Sequence, residues 1–73
     1  MKNKLIETAT RLRDRTAMQI DESELLKDIH TKKMLAIADP QEKAKAEILL
    51  TNINSTILKL KEQYAEFNNY IIS

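Results

Sequence analysis

The chain contains no glycine, no cysteine and no tryptophan, a single proline and only three aromatic side chains in 73 residues. Each absence removes a class of structure or chemistry. Without glycine there is little material for tight hairpin turns, so a sheet protein is disfavoured. Without cysteine there is no disulfide framework and no thiolate metal site, which suits a reducing compartment. No glycine-rich phosphate loop exists, and His30 is the only imidazole; flanked by Lys27, Lys32 and Lys33, it reads as a solvated surface residue. Asp28 would point about 160° away from it on a helix, so no metal set forms around it. These gaps argue against an enzyme, and no cofactor is expected.

Long apolar runs are missing too. The basic start, "MKNKLIETATRLRDRT", is interrupted by Glu7, Arg11 and Arg13, unlike the apolar core of a signal peptide. No run approaches the roughly 20 residues that cross a bilayer. The expectation is a cytoplasmic protein. With 32% charged residues and a net charge of +1, no overall field selects nucleic acid or an acidic membrane. Lys4, Arg11 and Arg15 align on one helical face, a weak signal for an anionic partner because no aromatics interleave them.

Abundant Ala, Leu, Lys, Glu and Gln predict an all-α fold. Its one strong punctuation mark is "ADP": Asp39 can cap, Pro40 fits the first helical position, and Glu42 completes an Asp-x-x-Glu capping box. Beyond it, Ala46, Leu50, Ile53, Ile57, Leu60, Tyr64, Phe67 and Ile71 alternate gaps of four and three. That is an a/d heptad seam, the pattern of coiled-coil-like packing against another helix.

In the first half, Leu5, Ile6, Ala9, Leu12, Thr16 and Ile20 share one face, whereas Leu25, Leu26, Ile29, Ala36 and Ile37 share another, nearly opposite. Asp21 with Glu24 resembles a second capping box between them. The pattern therefore predicts a short helix over about 3–19, a second over about 22–37 and a third over about 40–71, with a turn at 38–40, in one helical domain. The second and third helices form an antiparallel hairpin. A second helix of about 24 Å, at 1.5 Å per residue, would cover only half of the third. Leu60, Tyr64, Phe67 and Ile71 are then left for the first helix, a second copy or another protein. Together with Ile53, Ile57, Leu5 and Leu12 they are the expected partner-binding residues; Asp21, Glu24, Asp39, Pro40 and Glu42 are the expected caps.

The run "DPQEKAKAEILLTNINSTILKLKEQYAEFNNYII" resembles the small co-chaperones of the type III secretion needle, the YscE, PscE, SsaE and EscE group. The likeness lies in Asp-Pro-Gln opening the last helix, the doublet Leu49-Leu50, Ile53-Asn54, and Tyr64 followed by Asn68-Asn69. It covers residues 39–72, about half of the chain. It implies a short helix followed by two long antiparallel helices, a heterodimer with a larger helical-repeat chaperone, and joint protection of the needle subunit from premature polymerisation in the bacterial cytoplasm. A homodimer in the absence of that partner is also compatible. The competing readings are a phage or plasmid regulator that binds nucleic acid or a host protein through Lys4, Arg11 and Arg15, and a self-assembling helical subunit.

Overall fold

The computed structural model describes residues 2–73 and consists of two helices, α1 (Lys2–Leu35) and α2 (Pro40–Ile72), packed as an antiparallel hairpin. The Cα trace extends over 57 × 14 × 13 Å, a rod two helices thick.

The turn forms as the residues dictate. Asp39 stands in extended geometry (φ −73°, ψ 123°), and its Oδ1 accepts the Gln41 N–H at 3.0 Å, with Pro40 in the first turn. Glu42 lies 3.5 Å from Lys45 Nζ, so the cap works through Asp39 and Pro40 rather than as a reciprocal box. At the end of α1, the Ala36 and Ile37 N–H groups bond the carbonyls three residues back, at 3.1 Å each, tightening the last turn. Lys32 and Lys33 sit there with charge that complements the helix dipole. The connection is residues 36–39, slightly earlier than expected.

The expected break at residues 20–22 does not exist. α1 runs unbroken through it, Asp21 is an exposed mid-helix residue, and Glu24 reaches across to Lys61 at 3.6 Å. Neither caps a helix. A capping pair stops nothing unless a residue nearby disfavours helix, and 20–22 contains neither proline nor glycine. The short N-terminal helix is therefore the first half of α1. It follows that α1 matches α2 in length and covers it end to end; the supposed bare half of the last helix lies beneath residues of the first.

The seam on α1 is not the stripe that hydrophobicity marks. Its half-buried or buried positions continue from Ile6, Ala9, Arg13, Thr16 and Ile20 through Ser23 and His30 to Met34 and Ile37, a three-four spacing interrupted only at the exposed Lys27, with polar residues in the middle. His30 is half-buried on this seam rather than freely solvated. The apolar alternative, Leu25, Leu26 and Ile29, stays exposed. On α2 the observed seam is the expected one apart from Tyr64, which is exposed: Ile57 is 6% exposed, and Ala46, Leu50, Ile53, Leu60, Phe67 and Ile71 are half-buried.

The two halves of the seam divide the work. α1 presents small side chains at Ala9 (7% exposed), Thr16 (4% exposed) and Ser23, whereas α2 presents Ile53, Ile57, Leu60 and Phe67. Small residues let the axes approach and give the larger ones a place to insert. Thr16 is buried without penalty because its hydroxyl donates to the Leu12 carbonyl at 2.7 Å.

Two outcomes follow from this packing. Ile57→Ala removes the one large apolar side chain that is buried among the described residues, and should cost about 2–4 kcal/mol, read as a fall in the midpoint of thermal unfolding by circular dichroism. Asp39→Ala should cost about 1 kcal/mol in the same measurement, with no loss of the hairpin at low temperature.

Candidate functional site

The hairpin has two long sides, and the register identifies them. On α1, Leu5, Leu12, Gln19, Leu26 and Lys33 recur every seven residues along one flank of the seam; on α2, Leu49, Thr56, Gln63 and Tyr70 do the same. Two open grooves lie along the rod. The larger, about 410 Å³, is walled by Leu5, Leu12, Phe67 and Tyr70 over Ala9; the smaller, about 210 Å³, lies among Ser23, Leu26, Ile53 and Thr56. Both grooves draw their walls from the same two rows, so both open on the same side. Ile29 and Leu49, also exposed, extend this side toward the turn.

The other side is polar. Its rows are Thr10, Ala17, Glu24 and Thr31 on α1 and Glu47, Asn54, Lys61 and Asn68 on α2. Glu24 pairs with Lys61 there, and the Arg13 guanidinium donates to Asn68 Oδ1 at 3.2 Å. Next to these rows, Glu7, Asp14, Asp21 and Asp28, all exposed, form an acidic line at seven-residue spacing. Asp14 and Asp28 are paired locally, with Arg13 at 3.3 Å and Lys32 at 3.0 Å. The molecule is thus grooved and apolar along one side, while the other is hydrogen-bonded and acidic on α1 but carries the exposed Leu58 and Ile72 on α2.

No protein-family model, curated protein or solved structure matches this chain. Its chemistry therefore has to be read from its own surface.

The expected partner-binding residues divide between the seam and the grooves. Ile57, Leu60 and Ile71 belong to the seam alone and Leu5 and Leu12 to a groove wall alone, whereas Ile53 and Phe67 lie in the seam and also line a groove. Tyr64 lies at the seam's edge and is exposed. Leu26 and Leu49 were not among the expected binding residues, yet with Tyr70, expected at most at the rim of the contact, they complete the apolar side. The signal for them is the row adjacent to the heptad seam, which a search for a/d positions alone passes over. Lys4, Arg11 and Arg15 are all exposed. Among the described residues no group of three His, Asp or Glu side chains is placed to hold a metal ion, and no helix is long and apolar enough to cross a membrane.

The larger groove should take up an apolar fluorescent dye. Tyr70→Ala opens one wall and should lower dye binding several-fold while helix content by circular dichroism stays unchanged, because Tyr70 is exposed and lies off the buried seam.

Proposed function

We propose that the chain is a non-enzymatic helix-docking module that serves as a co-chaperone in the bacterial cytoplasm, binding a larger helical-repeat chaperone and helping to keep a type III secretion needle subunit monomeric before export. One observation carries the docking part. Among the described residues only Ala9 and Ile57 are buried apolar side chains, while twelve large ones are exposed. A free-standing domain does not leave its apolar surface in water on this scale, and rods of two helices are stabilised by what covers them. The likeness of residues 39–72 to the needle co-chaperones supports the choice of partner. A grooved apolar side fits the way helices are recognised by laying an apolar face into a groove.

Co-expression with a helical-repeat protein encoded beside it should give a 1:1 complex that survives gel filtration. Leu5→Asp with Tyr70→Asp, both exposed, should abolish that complex, whereas Lys4→Ala with Arg11→Ala should leave it intact. Binding of duplex DNA by the isolated chain, with a steep salt dependence removed by the Lys4 and Arg11 substitutions, would instead establish the regulator reading.

A further inference from the structure

We infer that the apolar side of the hairpin pairs with the same side of a second copy, about a two-fold axis parallel to the rod, to form a four-helix bundle. This goes beyond the proposed co-chaperone role and holds independently of it.

The argument rests on charge order. Flanking the apolar rows are Arg15 and Glu22 on α1 and Lys59 and Glu66 on α2. All four are exposed, and none forms an ion pair with another described residue. The antiparallel register, marked by Arg13 on Asn68 and Glu24 on Lys61, sets Arg15 at about the level of Glu66 and Glu22 at about the level of Lys59. Reading in one direction along the rod, α1 is therefore positive then negative where α2 is negative then positive. A two-fold axis along the rod lays α1 of one copy on α2 of the other at the same level. Arg15 then meets the second copy's Glu66, and Glu22 the second copy's Lys59, twice over. The same operation sets Leu5 and Leu12 against the second copy's Phe67 and Tyr70, and Leu26 and Ile29 against its Leu49.

Three further features agree. Every helix in the bundle then has only antiparallel neighbours, the arrangement that helix dipoles favour. A two-fold axis across the rod would instead lay α1 on α1, with Arg15 against the second copy's Glu22 and Lys59 against its Glu66, an arrangement that exchanging Arg15 with Glu66 would not restore. The opposite side offers no such charge complement: the same operation would lay the Glu7, Asp14, Asp21 and Asp28 line over the second copy's Ala44, Thr51, Leu58, Ala65 and Ile72, which supply no cation. The side is also large enough: 57 Å by 14 Å is about 800 Å², the area each partner contributes to a standard stable interface.

Sedimentation equilibrium of the full chain alone, at 0.1 M salt or below, tests this directly. The expected result is a dimer that dissociates at least tenfold more readily in Arg15→Glu and in Glu66→Arg, and regains its strength to within about threefold in the double exchange, with helix content constant throughout. Leu26→Asp with Leu49→Asp, both at exposed positions, should give a monomer that remains helical. A wild-type chain that stays monomeric across the accessible concentration range would overturn the inference, as would a dimer indifferent to Leu26→Asp with Leu49→Asp. An exchange that fails to rescue would overturn the two-fold axis along the rod. Because no partner protein is present, failure here leaves the co-chaperone complex to be judged by its own co-purification.

Discussion

Each helix in this molecule has one neighbour, and that limit shapes everything else. A helix with a single partner buries a single narrow stripe, so apolar residues off the stripe remain in water whatever their size. The stripe itself is built by pairing small with large: Ala9, Thr16 and Ser23 receive the aliphatic and aromatic side chains of α2. The threonine hydroxyl, satisfied within its own helix, makes a polar residue acceptable at the tightest point of contact. Such a seam depends on shape more than on apolar area, which is why two long helices with so few buried apolar side chains can still close along their length.

The leftover apolar residues fall into two sets: Met18, Leu25, Leu35, Ile48, Leu58 and Ile72 lie off the grooved side, and the others lie on it or at its edge. One flank of the seam gathers leucines, Ile29 and Tyr70 around two grooves, while the other is closed by Arg13 to Asn68 and Glu24 to Lys61 and lined with carboxylates. Such an asymmetry suits the proposed docking role, with association favoured on the grooved flank rather than on the hydrogen-bonded one.

How far the structure was legible in the sequence depends on the kind of signal. The start of α2 was plain, since Asp39 and Pro40 act locally and nothing distant competes with them. The α2 seam was plain because its apolar residues and its buried residues coincide. On α1 they do not coincide. The eye follows Leu25, Leu26 and Ile29, but the chain continues its first stripe through Ser23 and His30, because bending the helix to bury the leucines would break the contact already made by Ala9 and Thr16. Periodicity reports where apolar residues lie, and here the decisive quantity was the small size of the residues between them. The docking face was half visible for the same reason: Leu5, Leu12 and Phe67 stood out, whereas Leu26, Leu49 and Tyr70 gain their meaning only once the register places them on one side.

The position of the best packing relative to the turn has a kinetic consequence. The most buried residues, Ala9, Thr16 and Ile57, lie away from the Asp39-Pro40 turn, while the stretch beside the turn is more exposed on both helices. Zipping outward from the turn therefore begins with weak contacts, and the strong ones are won only after a long intervening loop has been ordered. The barrier to folding should accordingly be set by the meeting of the middle and outer parts of the two helices, and the hairpin should open first at its hinge-side half while its far half still holds.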